Sequence, residues 1–211
     1  MTKILQIETA LPPYRHSQED ISAFMEQTYE KSFAVSKVYQ DTSIRSRFSY
    51  LKDFSQEDRE FFIPGHNPGM AERMSAYFQW APELAEQAVR KLDGYEEATH
   101  LITVSCTGLA APGLEVILQK RLNLPDGIQK ATVNFMGCYA AIHGLRLADW
   151  IIRSNPNSKV ILVCVELCTL HFQKEYSLDS LTSSSLFGDG AAAVFLGSEG
   201  EGTEIKHFFT R

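Results

Sequence analysis

The chain has 211 residues, of which 44% are hydrophobic, a composition that suits a folded protein with one sizeable core or two small ones and excludes a disordered one. Its formal net charge is −6, and its basic residues are scattered among acidic ones, so we expect it to bind neither nucleic acid nor a membrane. The N-terminus turns polar by Glu8, too early for a signal peptide, and the four cysteines lack CxxC spacing. We therefore expect a cytoplasmic protein with reduced thiols.

The first part of the chain predicts one strand, one helix and a long connection. Residues 3–7 alternate weakly and are followed by two prolines, which suits an opening strand. Ser17 and Asp20 have the spacing of a helix N-cap, and the apolar residues after them share one helical face. Residues 41–68 combine charges, aromatic residues and turn formers, which is typical of an exposed connection.

Strand and helix patterns then alternate along the chain. The periodicity predicts helices over 70–92, 112–122 and 139–153 and strands over 100–105, 131–135 and 159–166. Pro82 is expected to kink or divide the first of these helices, and residues 191–196 and 204–209 are expected to add antiparallel strands. The order predicts an α/β fold with a mixed, mainly parallel sheet and helices on both faces.

Cys138 is the candidate nucleophile. It stands between a predicted strand and a predicted long helix, after a glycine. A thiol at a helix N-terminus lies near the positive end of the macrodipole, which favours the thiolate. Spacing alone leaves open a structural cysteine that packs at the junction.

Four motifs together resemble the type III polyketide synthases, the chalcone and stilbene synthase family. They are VSCTGLAAPG at 104–113, FMGCYAA at 135–141, LDSL at 178–181 and LFGDGAAAV at 186–194. The resemblance spans roughly residue 40 to the C-terminus. It implies a thiolase-like fold, of which residues 1–211 are the N-terminal half and form a single domain.

The resemblance also implies an acyltransferase activity. Cys138 would take a starter acyl group from an acyl-CoA and extend it by decarboxylative condensation with malonyl-CoA, since a thiolate suits thioester exchange. Both coenzyme A thioesters are substrates, and no cofactor is expected to be bound permanently. The family further implies a homodimer, with the strand and helix beside Cys138 near the two-fold axis.

The same resemblance suggests substrate contacts for other residues. Phe187 matches the phenylalanine at the junction of the acyl cavity and the coenzyme A tunnel, although it could also be a core aromatic residue. Arg45 and Arg47 resemble the segment that contacts coenzyme A phosphates, but they could equally belong to a solvated loop. Glu166 ends an apolar strand and is either a buried polar group near the site or a strand terminus.

Four expected cavity positions depart from the plant pattern. Cys106, Cys168 and His171 stand where threonines are usual, and Ala111 replaces a methionine. Cysteine at position 168 is similar to bacterial relatives that accept long alkyl chains, so alkylpyrone or alkylresorcinol products are expected alongside the chalcone-like alternative. These residues could also simply pack in the core.

The resemblance also implies that condensation needs residues from the second half of the family's fold. A histidine and an asparagine of that half stabilise the thiolate and the enolate, and no equivalent segment is found in these 211 residues. We expect this chain alone to be incomplete for condensation, as a truncated or split protein. The alternatives are a ketoacyl-carrier-protein synthase of the third type and a non-catalytic half-domain partner. The cysteines and histidines lack metal-ligand spacing, so no metal site is predicted.

Overall fold

The computed structural model describes residues 1–30, 32–55 and 59–209. The chain divides into two compact units, which are treated separately below. The sheet unit comprises Met1–Ala10, Ala81–Glu166 and Ala191–Arg211, and the aromatic unit comprises Leu11–Trp80 and Leu167–Gly190. The assignment of 1–211 to a single domain stays a prediction.

Strands and helices alternate through most of the chain. The strands are β1 (Lys3–Ala10), β2 (Tyr14–Ser17), β3 (Ser46–Ser49), β4 (His100–Ser105), β5 (Gln129–Asn134), β6 (Val160–Leu167), β7 (Asp189–Gly197) and β8 (Thr203–Glu204). The helices are α1 (Gln18–Tyr29), α2 (Ser32–Gln40), α3 (Met70–Val89), α4 (Leu114–Arg121), α5 (Ala140–Ser154) and α6 (Leu178–Leu186). Two short 3₁₀ segments lie at Tyr95–Glu97 and Cys168–His171.

The sheet unit is built on a mixed six-stranded sheet in the order β5-β4-β6-β7-β1-β8. Strand β4 pairs in parallel with both β5 and β6, as expected for strands joined through helices. Strand β1 pairs antiparallel with both β7 and β8. The mixed sheet predicted from the sequence is therefore confirmed, with β5 at one edge.

Helix α5 packs closely on this sheet. Apolar side chains of β4, β6 and α5 form the core, among them Ile102, Leu162 and Ile152, each at most 1% exposed. A side chain at Gly144 of α5 would place its Cβ 2.6 Å from a methyl carbon of Leu162. Glycine is therefore what lets the helix approach the sheet at this point.

The aromatic unit has a core of packed rings. Phe24, Phe54, Phe62 and Phe172 are all buried, and Phe62 and Phe172 meet edge to face with ring centroids 4.9 Å apart. Such pairs stabilise a core beyond the area they bury. The two-stranded antiparallel sheet of β2 and β3 belongs to the same unit.

Most predicted elements of the sheet unit are confirmed. Pro82 was expected to kink or divide the helix over 70–92, and it does not divide it, because α3 continues through it from Met70 to Val89. The last predicted strand, 204–209, is reduced to the two residues of β8. Four further elements, α2, α6, β2 and β3, lie in segments that show no clear hydrophobic period. Within the described ranges, no helix is both long enough and apolar enough to cross a membrane.

Candidate active site

Three chain segments with chemically active side chains meet one edge of the sheet. Strands β4, β5 and β6 run parallel, so their carboxyl ends lie at the same edge. Cys106 directly follows β4, the turn that holds Cys138 follows β5, and Glu166 lies at the end of β6. In sheets of this kind, ligand sites form at the carboxyl ends of parallel strands.

The turn between β5 and α5 presents Cys138 to solvent. Cys138 is exposed and precedes Tyr139, the N-cap of α5. Two residues of the turn adopt the left-handed conformation, Phe135 with φ of 56° and Gly137 with φ of 79°. Positive φ is usual for glycine but uncommon for a bulky residue, and such backbones concentrate at functional sites. The strand-turn-helix placement predicted for Cys138 is confirmed, while its nucleophilic role stays a prediction.

Glu166 holds the segment that carries Cys106. One carboxylate oxygen accepts a hydrogen bond from the Cys106 backbone N–H at 2.7 Å, and the other accepts one from the Thr107 hydroxyl. Burial raises the pKa of Glu166, and these two donors oppose that shift. Glu166 is half-buried and lies one residue before the end of β6, so each of the two interpretations describes part of its position.

Cys106 lies beside the Cys138 turn. Its Sγ is 4.0 Å from the backbone oxygen of Gly137, the residue before Cys138. The structure thus brings Cys106 and the Cys138 turn together, while a role of Cys106 in lining an acyl cavity stays a prediction. Ala111, the other cavity position predicted in this unit, is exposed in the loop between β4 and α4.

A second thiol of the sheet unit has a different environment. Cys164 lies within β6, where burial, reinforced by the charge of Glu166, raises the pKa of its thiol to about 12. A thiol with so high a pKa stays protonated and is a poor nucleophile. The contrast with exposed Cys138 separates a structural cysteine from a candidate nucleophile.

In the aromatic unit, Phe187 ends helix α6. Phe187 is the C-cap of the helix, and its side chain is 43% exposed. Its backbone oxygen accepts a hydrogen bond from Nη1 of Arg47 at 2.7 Å, and the same nitrogen donates to the Ser184 oxygen. The structure therefore brings Phe187 and Arg47 together, a contact that the sequence did not predict.

The two arginines predicted to contact coenzyme A occupy different environments. Arg45 is exposed, and its role stays a prediction. Arg47 is only 9% exposed. A role as phosphate ligand does not fit this buried position of Arg47, because its Nη1 already donates to two backbone carbonyls inside the unit.

Asp189, two residues after Phe187, was missed as a site residue. Its carboxylate accepts hydrogen bonds from Thr169 N at 2.9 Å, from Thr169 Oγ1 at 2.7 Å and from Tyr50 N at 3.1 Å. Burial raises the pKa of Asp189 to about 6, although these donors favour the charged form. The Gly-Asp-Gly sequence at 188–190, within the motif at 186–194, is the signal that could have identified it.

One 3₁₀ segment begins at Cys168 and ends at His171, the two residues of this unit that were predicted to line the cavity. Thr169 within it is held by Asp189, and the carbonyls of Leu170 and Phe172 accept hydrogen bonds from buried Arg73. Desolvation, reinforced by the charge of Arg73, lowers the pKa of His171. His171 is thereby favoured as a neutral ring. A role of this segment in a cavity stays a prediction.

Possible metal ligands do not cluster in the part of the chain that the structure describes. No group of three or more histidine, cysteine, aspartate or glutamate side chains there could hold a metal ion. The chemistry available at the carboxyl ends of the strands is that of thiols and a carboxyl group.

Comparisons with known proteins agree with this arrangement. The family model "Chalcone and stilbene synthases, N-terminal domain" matches residues 1–200. An alpha-pyrone synthesis polyketide synthase-like protein of Mycobacterium tuberculosis is 32% identical over 78% of this chain and 42% of its own length. The 1,3,6,8-tetrahydroxynaphthalene synthase of Streptomyces peucetius is 29% identical over 92% of this chain and 52% of its own length.

Solved structures show the same fold. The C-terminal type III polyketide synthase domain of a type I/III hybrid from Dictyostelium superposes with a TM-score of 0.87 at 24% identity, over 95% of this chain and 57% of that one. PKS-I from the brown alga Ectocarpus siliculosus gives 0.86 at 25% identity, over 93% and 56%. The chain thus spans about half the length of these two bacterial relatives and of the solved structures. The predicted α/β, thiolase-like fold is confirmed, and the chain belongs to the chalcone and stilbene synthase family of type III polyketide synthases, as an N-terminal domain.

Proposed function

We propose that this chain supplies the acyl-loading half of a type III polyketide synthase, with Cys138 as the residue that carries the acyl group. The observation that carries the proposal is the exposed position of Cys138 on the turn before α5, at the carboxyl ends of parallel strands. Membership of the family supports the same role.

The loading step is a thioester exchange. The Cys138 sulfur attacks the thioester carbonyl of an acyl-CoA, and the tetrahedral intermediate expels the coenzyme A thiolate, which takes up the proton lost by Cys138. One carbon–sulfur bond forms and one breaks, so no oxidant or cofactor is needed. The macrodipole of the 15-residue helix α5 favours negative charge on the sulfur before its N-terminus.

The extension step uses malonyl-CoA. Its decarboxylation releases carbon dioxide and leaves a carbanion, which attacks the carbonyl of the Cys138 thioester. A carbon–carbon bond forms to the coenzyme A-bound unit, and the carbon–sulfur bond to Cys138 breaks and frees the thiolate. Separating loading from extension replaces one difficult step by two easier ones. Phe187 is proposed to exclude water and to orient the malonyl carboxylate. Because the family takes a histidine and an asparagine for this step from its second half, we propose that residues 1–211 alone load the acyl group without condensing it.

The starter and product are proposed by class. The names of two relatives refer to an alpha-pyrone and to tetrahydroxynaphthalene, both of which fit a polyketide product. Cysteine at position 168 resembles the bacterial relatives that accept long alkyl chains, and this resemblance favours a long acyl chain. A long-chain alkylpyrone or alkylresorcinol is therefore proposed ahead of a chalcone-like product.

Exposed apolar side chains around Cys138 support the association of this chain with another protein surface. In the sheet unit, Phe135, Tyr139, Ile142 and Trp150 are 59%, 58%, 48% and 61% exposed. The last three share one face of α5 and its N-cap, and β5 beside them is an edge strand. Large exposed apolar surfaces mark interaction sites, which supports the expected second half and the expected homodimer.

The test is intact-mass detection of acyl transfer from short, aromatic and long-chain acyl-CoA thioesters. We expect one acyl adduct per chain, absent from Cys138→Ala, with the largest yield from a long-chain thioester. Cys164→Ala is the matched control and should retain the adduct, because the high pKa of that thiol keeps it unreactive.

Each other outcome has a defined meaning. An adduct that survives Cys138→Ala would refute the assignment of the nucleophile. No adduct from any thioester would refute loading by this chain and favour the non-catalytic partner. Transfer from an acylated carrier protein but not from acyl-CoA would favour the ketoacyl-carrier-protein synthase alternative.

A further inference from the structure

The C-terminus of helix α6 leaves backbone oxygens to be satisfied by groups outside the helix. The last four carbonyls of any α-helix lack donors from within it. In α6 the N–H of Phe187 closes the final turn on Ser183 at 3.1 Å, so the oxygens of residues 184–187 need other partners.

Side chains from three other elements of the aromatic unit provide donors to the oxygens of Ser184, Ser185 and Phe187. Gln18 of α1 donates to the Ser185 oxygen at 2.9 Å, and the Tyr39 hydroxyl of α2 donates to the Ser184 oxygen at 3.0 Å. Arg47 of β3 donates from Nη1 to the oxygens of Ser184 and Phe187. A cation at this end of the helix also complements the negative pole of the macrodipole.

Arg47 differs from the other two donors because it binds the carbonyl of Phe187 itself. Its stem also lies against the next residue, since a Cβ added to Gly188 would be 3.2 Å from the Cβ of Arg47. One residue further, Asp189 is fixed by its three hydrogen bonds to Thr169 and Tyr50. The backbone that carries the Phe187 ring is thus held on both sides, while the ring itself is 43% exposed.

We propose that Arg47 is a positioning residue that fixes the ring of Phe187 through the peptide carbonyls at the end of α6. The role of the Phe187 ring at the edge of an acyl cavity rests on the proposed function. How firmly Arg47 holds the ring is a property of the aromatic unit and can be measured without any acyl transfer. Failure of this inference is therefore distinguishable from failure of the proposed function.

The test is fluorine NMR on the 211-residue chain with 4-fluorophenylalanine at position 187. We expect one sharp resonance in the otherwise unchanged protein. Arg47→Met removes both hydrogen bonds to the carbonyls and should shift this resonance by more than its linewidth or broaden it. Arg47→Gln keeps a polar head on a shorter stem that reaches neither carbonyl, and it should do the same at a smaller cost in stability. Arg47→Lys keeps a cationic donor and should restore part of the signal.

The matched control is Gln18→Met, which removes a donor to the Ser185 oxygen at the same end of the helix but none to Phe187. It should lower the stability of the unit and leave the resonance unchanged, whereas a general loosening of the unit would move the signal in every variant. Circular dichroism verifies folding. An unchanged resonance in a folded Arg47→Met or Arg47→Gln variant overturns the proposal. If neither variant folds, the role of Arg47 is stability alone and the proposal also fails.

Discussion

Replacing Asp189 by asparagine should change how the stability of the protein depends on pH. Asp189 is 7% exposed, and its carboxylate accepts three hydrogen bonds in the aromatic unit, two from Thr169 and one from Tyr50. Asparagine has nearly the same shape but does not titrate. Any difference in pH dependence between the two proteins therefore reports the protonation of this one side chain.

The direction in which stability changes with pH follows from the direction in which burial shifts the pKa of Asp189. Burial raises the pKa of Asp189 from 3.8 to about 6 in the folded protein, so folding takes up a proton between these values. The stabilisation by this proton is complete below the unfolded pKa and is lost as the pH rises through about 6. At about 1.4 kcal/mol per pKa unit, the full effect is about 3 kcal/mol, of which about 2 kcal/mol falls between about pH 4.5 and 7.5.

Urea unfolding of both proteins, followed by circular dichroism across that pH range, measures the effect. The free energy of unfolding of the wild type, minus that of Asp189→Asn, should fall by about 2 kcal/mol from about pH 4.5 to 7.5. A difference that stays constant across the pH range would refute the buried, proton-binding carboxylate.

Two further predictions concern single hydrogen-bond acceptors. Glu166→Ala should lower the free energy of unfolding by about 1–3 kcal/mol, because the Cys106 N–H and the Thr107 hydroxyl lose their acceptor, and thermal unfolding measures the loss. Ser17→Ala should lower it by about 1 kcal/mol, because Ser17 accepts the Asp20 N–H at 3.0 Å as the N-cap of α1, and urea unfolding measures that change.

Conservative variants provide the controls for both. Glu166→Gln keeps a carbonyl oxygen for the Cys106 N–H and should lose less stability than Glu166→Ala. Ser17→Thr keeps the capping oxygen and should stay close to the wild type. Equal losses for glutamine and alanine at 166, or for threonine and alanine at 17, would contradict the assigned hydrogen bonds.

The sequence predicted the sheet unit well because its signals are local. The strand at 159–166 is a nearly continuous apolar run, and the helix at 139–153 has an apolar face with the period of a helix. Both were found within two residues of their predicted ends, as β6 and α5. The position of Cys138 between strand and helix followed from this helix and from the strand predicted at 131–135. The left-handed conformation of Phe135 was not predicted, because nothing about phenylalanine as a residue type indicates a positive φ.

The aromatic unit was predicted poorly because its contacts are distant in sequence. Arg47 and Phe187 are 140 residues apart, and neither residue type identifies the other as its partner. Arginine after turn-forming residues is as compatible with a phosphate ligand as with a helix cap, and only the surrounding carbonyls decide between them. The motif at 186–190 was recognised from its residues alone, whereas the reason for those residues is structural. Glycine at 188 leaves room for the stem of Arg47, and aspartate at 189 accepts the donors of two other segments. A motif of this kind therefore preserves the backbone around Phe187 as much as the phenylalanine ring itself, and substitutions at Arg47 or Asp189 should perturb Phe187 without touching it.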